Sequence, residues 1–164
     1  MEKSIGFDWK SCMCETLELK EVDITGYSPL TLAYIGDSVY DLIIKTMIVT
    51  EGNKQVKKLH HETSKMVQAS AQSEMMRVIQ GHLTEEEHAI YKRGRNAKTV
   101  SPAKNQTLTD YRRATGFEAL IGWLYMKNEW ERILELVKIG LKHLGEINCD
   151  RGAEEISAAG EKEE

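Results

Sequence analysis

SPLTLAYIGDSVYDLIIKTMIV, residues 28–49, is the stretch whose reading decides the fold. Ser28 followed by Pro29 is a helix start: a side-chain N-cap, then the one helical position that favours proline. From Leu30 to Val49 apolar side chains fall on nearly every side of a helical wheel, which predicts a buried helix. Set into it are a glycine, Gly36, and two acids one turn apart, Asp37 and Asp41. A mid-helix glycine costs about 1 kcal/mol against alanine, and an unpaired buried carboxylate costs several kcal/mol more. The sequence therefore predicts that something binds those acids.

The same anomaly recurs in ATGFEALIGWLY, residues 114–125, inside a second apolar helix expected over about 107–127. Here Glu118 stands amid Phe117, Ala119, Leu120, Ile121, Trp123 and Leu124. Small residues accompany each acid, Ala33 and Gly36 near Asp37, Ala114 and Gly122 near Glu118. Small residues let helix axes approach closely, so the two acids are expected to face each other across a crossing. Two carboxylates on facing buried helices have one common compensation, a hard divalent cation. Magnesium takes oxygen ligands, keeps several waters and uses one or two carboxylates together with substrate phosphate oxygens. The plainer reading is that Asp37 and Glu118 pair with Arg112, Arg113 or Lys45.

Elsewhere the chain reads as helices separated by short breaks. Helical patterns are expected from Val56, over about 69–81, over about 85–93 behind a Thr84/Glu87 capping box, and over about 129–144 with Gly145 closing the last. No alternating run is long enough for a strand, so the fold is predicted to be all-α, a bundle of about seven helices. Met66, Met75 and Met76 lie at helical spacing and read as core rather than as ligands. Residues 1–24 show no sustained period; 1–27 are expected to form an N-terminal arm, 28–145 the folded domain, and 146–164 a disordered acidic tail. The three cysteines (Cys12, Cys14 and Cys149) are few, Cys12-Met13-Cys14 lacks a second thiol pair, and there is no secretory segment. A soluble cytoplasmic protein with reduced thiols is the expectation, and no membrane partner.

The formal net charge of −4 hides an uneven distribution. Residues 1–27 carry three lysines against six acids, and residues 146–164 two basic residues against seven acids. The ends thus hold −3 and −5, and the body between them about +4. From Lys92 to Arg113 there are seven basic residues (Lys92, Arg93, Arg95, Lys98, Lys104, Arg112, Arg113) against Asp110 alone. The middle of that span, Gly94 to Gln106, is polar and is expected to be an exposed loop that binds phosphate. His60 and His61 sit beside Lys57 and Lys58 on the polar side of their helix, where a solvated face is the plainer reading and phosphate contact the other. The sequence holds no Walker-type phosphate loop, no GxSxG and no HExxH.

LAYIGDSVYDL (32–42) and ATGFEALIG (114–122) resemble the two signature helices of the ribonuclease III domain, whose members carry GDSVLEL-like and ADTVEALIG-like stretches. The closer likeness is to the short Mini-ribonuclease III relatives, with LAYIGD, an LHxxxS segment, EEExxxxxRGRNAK and YRxxTxFEALxGxL. Here these read Leu32–Asp37, Leu59–Ser64, Glu85–Lys98 and Tyr111–Leu124, so the resemblance spans about residues 28–145. It implies a magnesium-dependent endonuclease of double-stranded RNA with Asp37 and Glu118 as metal-binding catalytic residues. Asp41 is then a supporting acid. Ala33 and Thr115 stand where ribonuclease III proper has two further carboxylates, a reduction the short relatives share, and Thr115 is taken as a supporting residue. The consequence is weak metal affinity completed by substrate phosphates. The separate RNA-binding domain of ribonuclease III has no counterpart here, so Arg93, Arg95, Asn96 and Lys98 are the implied substitute, with His60, Lys57, Lys58 and Lys65 as lesser candidates. The resemblance further implies a homodimer through the 29–49 helix, cleavage to 5′-phosphate and 3′-hydroxyl ends, and the large-subunit (23S) ribosomal RNA precursor as substrate. It leaves an accessory ribosomal protein open as a partner. The rival reading is a non-catalytic RNA-binding or ribosome-associated protein that keeps the fold.

Overall fold

The computed structural model describes residues 8–98 and 107–146. Within them the chain forms seven α-helices: α1 (Trp9–Thr16), α2 (Pro29–Thr50), α3 (Val56–Val67), α4 (Ala69–Ile79), α5 (Glu85–Arg95), α6 (Leu108–Met126) and α7 (Trp130–His143). A 3-10 turn, Gln80–His82, follows α4, and the described residues contain no strand.

Helix α2 begins as its sequence demands, with the Ser28 hydroxyl accepting the Leu30 N–H at 3.2 Å and Pro29 at the first helical position. It buries one side only, through Leu32, Ala33, Gly36, Val39, Tyr40, Ile44 and Ile48. Tyr34, Leu42 and Val49 remain 81%, 57% and 62% exposed. Within a single chain the helix buried all round is α6 and not α2. From Ala114 to Tyr125 every residue of α6 is buried except the half-buried Glu118, because α2, α4, α5 and α7 pack around it.

The α2–α6 crossing is backbone against backbone. A Cβ on Gly36 would lie 1.8 Å from the Glu118 carbonyl oxygen, and one on Gly122 would lie 1.9 Å from that of Leu32. No other side chain fits at either place, which explains why α2 and α6 each tolerate the propensity cost of a glycine. Farther along, Tyr40 meets Phe117 edge to face and donates from its hydroxyl to the Met66 carbonyl at 2.8 Å. That phenol thus joins α2, α3 and α6 with its polar atom satisfied.

Helix α5 opens on the expected capping box: the Thr84 hydroxyl accepts the Glu87 N–H at 3.2 Å, and the Glu87 carboxylate accepts the Thr84 N–H at 3.4 Å. Glu87, only 5% exposed, also pairs with Arg132 of α7 at 2.9 Å. The same guanidinium donates to the His82 carbonyl at 2.7 Å, so α5 and α7 are tied at one end. At the close of α7, Gly145 takes a positive φ of 77° and the Glu146 N–H returns to the Leu141 carbonyl at 3.0 Å.

Two local expectations change. The N-terminal arm holds a helix, α1, capped by Asp8, whose side chain accepts from the N–H groups of Lys10 and Ser11. No residue of α1 is buried, so it had no apolar face to leave a period in the sequence. It is fastened by Lys10, whose ammonium donates to the Met126 carbonyl at 2.6 Å. Gly94, expected in a loop, lies buried inside α5, where a Cβ would meet that of Ala119 at 2.8 Å. Of the predicted loop, residues 99–106 with Lys104 lie outside the described residues, as do residues 147–164 of the expected acidic tail.

Candidate active site

Asp37 on α2 and Glu118 on α6 meet at the glycine crossing. Gly36 lets α2 press against the Glu118 carbonyl, and the next residue, Asp37, is thereby carried beside the Glu118 side chain. Glu118 is half-buried and Asp37 exposed. The Glu118 carboxyl is pushed up to about 7, first by burial and then by the negative charge of Asp37. Both effects disfavour its charged form, and a cation standing between the two acids would oppose them by attracting both carboxylates.

The expectation of two costly buried acids on α2 is corrected. Asp37 faces solvent, and Asp41 is half-exposed and paired with Lys45 one turn on at 2.8 Å. That pair, with side chains 52% and 36% exposed, contributes little. The burden of burial falls on Glu118 alone. The plainer reading, pairing of Asp37 and Glu118 with a basic side chain, finds no support: among the described residues neither acid joins an ion pair. Lys45 belongs to Asp41, and Arg113 lies near Glu74, a carboxyl held low chiefly by its hydrogen bond with His143.

One residue of the site escaped sequence reasoning. Gln72 of α4 is 1% exposed, and its Nε2 donates to the Glu118 carboxylate at 3.3 Å and to the Val67 carbonyl at 3.0 Å. Its own Oε1 is buried without a partner among the described residues. The signal was present: Ala69, Gln72, Met76 and Ile79 share the core-facing period of α4, and a lone amide at such a position needs a polar neighbour. Thr115 is buried one turn before Glu118, with its hydroxyl donating to the Tyr111 carbonyl at 2.9 Å.

The basic candidates fall on two elements that both pack against α2, the helix carrying Asp37. Lys57, Lys58, His60 and Lys65 are exposed on α3, whose last residue, Val67, holds Gln72. Arg93, Asn96 and Lys98 are exposed at the far end of α5 and Arg95 is half-buried. Arg93 donates to the Tyr27 carbonyl at 3.1 Å, so it also fastens the segment before α2. Arg95 lies 5.7 Å over the Tyr91 ring, a cation–π arrangement that orients its guanidinium.

The donor set is two carboxylates, and no group of three or more His, Cys, Asp or Glu suited to a metal occurs among the described residues. It fits a hard cation that takes its remaining oxygens from water and substrate. The Ribonuclease III domain family matches residues 30–129, a span that runs from the start of α2 past the end of α6 and includes both acids. The chain belongs to the ribonuclease III family. Among its relatives is the Mini-ribonuclease 3 of Clostridium tetani, 45% identical over 136 residues that cover 82% of this chain and 90% of that protein. Another is the Mini-ribonuclease 3 of a Thermoanaerobacter species, 43% identical over 147 residues, or 89% and 100% of the two chains. A crystal structure of a Fusobacterium nucleatum protein superposes with a TM-score of 0.68 at 34% identity, covering 76% of this chain and 98% of that one. The protein is accordingly an endoribonuclease of the Mini-ribonuclease III kind, a hydrolase of double-stranded RNA. Among the described residues no helix is long and apolar enough to cross a membrane.

Proposed function

We propose that this ribonuclease III protein is a Mg2+-dependent homodimer that cleaves precursor ribosomal RNA of the large subunit, with Asp37 and Glu118 as its catalytic residues. The observation that carries this reading is the half-buried Glu118, pushed up to about 7 beside Asp37 with no basic partner among the described residues. Two adjacent acids so placed are poorly satisfied by protein alone and well satisfied by a divalent cation. When bound, Mg2+ supplies charge neutralisation at the scissile phosphate and a nucleophile at near-neutral pH. Glu118, fixed in the bundle, and Asp37, at its surface, would hold it while leaving most of its coordination to water and phosphate. Water oxygen bonds to phosphorus, the bond to the 3′ oxygen breaks, and a proton passes to that oxygen, giving 5′-phosphate and 3′-hydroxyl ends.

Substrate would be held by shape and phosphate rather than by base edges, as A-form duplexes require. Arg95, Asn96 and Lys98 at the end of α5, with Lys57, Lys58, His60 and Lys65 on α3, place cations on two helices flanking α2. Arg93 serves in both capacities, anchoring Tyr27 and adding charge. The exposed apolar side chains of α2 support the dimer. The sequence likeness to Mini-ribonuclease III supports the ribosomal precursor as substrate and the cytoplasm as location, and it keeps an accessory ribosomal protein as a partner to test.

Incubation with long duplex RNA over a range of Mg2+ and salt tests the reaction. Cleavage that requires Mg2+ and disappears in Asp37→Asn is the expected result. A wild-type protein that never cuts would overturn the reading, and cleavage that survives the substitution would overturn the site.

A further inference from the structure

Gln72 sits where stability alone would place an apolar side chain. It lies on the buried face of α4 with Met75, Met76 and Ile79, and its Oε1 has no hydrogen-bond partner among the described residues. An unpaired buried oxygen weakens the fold, so its retention asks for another use. The amide has one tenable orientation. Both polar groups facing it, the Val67 carbonyl at 3.0 Å and the Glu118 carboxylate at 3.3 Å, are acceptors. Turning the amide over would set Oε1 against the Val67 carbonyl and strand both of its N–H donors. The backbone of α3 therefore fixes Gln72 as a donor toward Glu118. A fixed donor supports a carboxylate and cannot accept a proton from a carboxylic acid.

We infer that Gln72 is a positioning residue whose amide, locked by the Val67 carbonyl, holds the Glu118 carboxylate by Oε1 in place to share a divalent cation with Asp37. This rests on the metal reading above. Outer partners that orient a metal-binding carboxylate typically change metal affinity by about 10–100-fold when removed.

The experiment is a Mn2+ titration of the full chain without RNA, followed by water-proton relaxation, on wild type, Gln72→Met and Gln72→Leu, with thermal midpoints measured alongside. Both substitutions remove the donor and the orphaned oxygen while keeping an apolar group in the core. The expected result is a Mn2+ dissociation constant raised about 10-fold or more, with a thermal midpoint equal to or above that of wild type. Cleavage by the variants should recover at saturating Mn2+. Variants that bind Mn2+ like wild type would overturn the proposal, and so would failure of both to fold, which would make Gln72 a structural side chain. Wild type that binds no Mn2+, or Asp37→Asn that binds it undiminished, would overturn the metal reading itself and Gln72's role with it.

Discussion

Glu118 concentrates the chemistry of the molecule in one carboxyl group. Its value in the folded protein is pushed up from the ordinary 4.5 to about 7, first by burial and then by Asp37. Below pH 4.5 folded and unfolded chains both carry the proton, and Glu118 imposes no penalty. As pH rises from 4.5 to 7 the unfolded chain releases its proton first, so stability falls, and above 7 the loss is complete. Its size is on the order of 2–3 kcal/mol for a group this well buried. Glu118→Gln removes the titrating proton. Thermal melts in a chelator should therefore show wild type losing stability between pH 5 and 7.5 while the variant does not, leaving the variant the more stable at pH 8. Cleavage by the same variant should fall at least about 100-fold, more than loss of an outer partner produces. A variant less stable than wild type at pH 8 would show that Glu118 has a compensating partner in the absence of metal. Asp37, by contrast, faces solvent. The sequence made the two acids look alike, since both sit in apolar runs, and only the direction each faces separates them.

Among the helices, the α2–α6 crossing decides whether those carboxylates meet. A methyl group on Gly36 would stand 1.8 Å from the Glu118 carbonyl oxygen, so Gly36→Ala must push the helices apart. Overpacking of this kind costs about 1–3 kcal/mol or more, and a shift of about 1 Å between catalytic groups can lower the rate about 100-fold. Gly81→Ala is the control, since among the described residues nothing lies within 4 Å of its Cβ position. The expected outcome is a large drop in thermal midpoint and activity for Gly36→Ala and little change in either for Gly81→Ala; equal effects would deny the crossing its role. This contact was legible in the sequence because glycine and alanine beside an acid are hard to explain otherwise. The capping box of α5 was legible for a similar reason, as Thr84 and Glu87 satisfy local backbone groups. Which of two apolar helices is central was not legible. Residues 30–49 are the more apolar, 13 of 20 against 10 of 18 in 108–125, yet burial all round belongs to whichever helix collects neighbours on every side. Helix α1, held by Asp8 and Lys10 without a buried face, carried no periodic signal. Gln72 was passed over because its partner, Glu118, lies on another helix.

For the whole molecule, the apolar side chains left outside the bundle point to a second copy. Tyr34, Leu42 and Val49 are more than half exposed on α2, and Leu30 is 39% exposed on the same helix. A two-fold contact uses the same patch on both partners, so one apolar helix face suffices to build it. Between these side chains lies the Asp41–Lys45 pair at 2.8 Å, whose two charges could equally reach across such an interface. Tyr34→Glu tests the arrangement cleanly, because a side chain 81% exposed supports no core of its own subunit. Light scattering should give a dimer mass for wild type and a monomer mass for the variant, with helical circular dichroism unchanged. If each subunit cuts one strand, the monomeric variant should nick duplex RNA without releasing double-strand breaks. A wild type that is monomeric at micromolar concentration, or a Tyr34→Glu protein that remains dimeric, would remove α2 as the interface and leave its outer face without a partner. Such a dimer would also bear on Asp37, three residues along α2 from Tyr34. Burying that face would screen Asp37 from water and strengthen its attraction for a cation, so the monomeric variant should bind Mn2+ more weakly than wild type as well as cut differently.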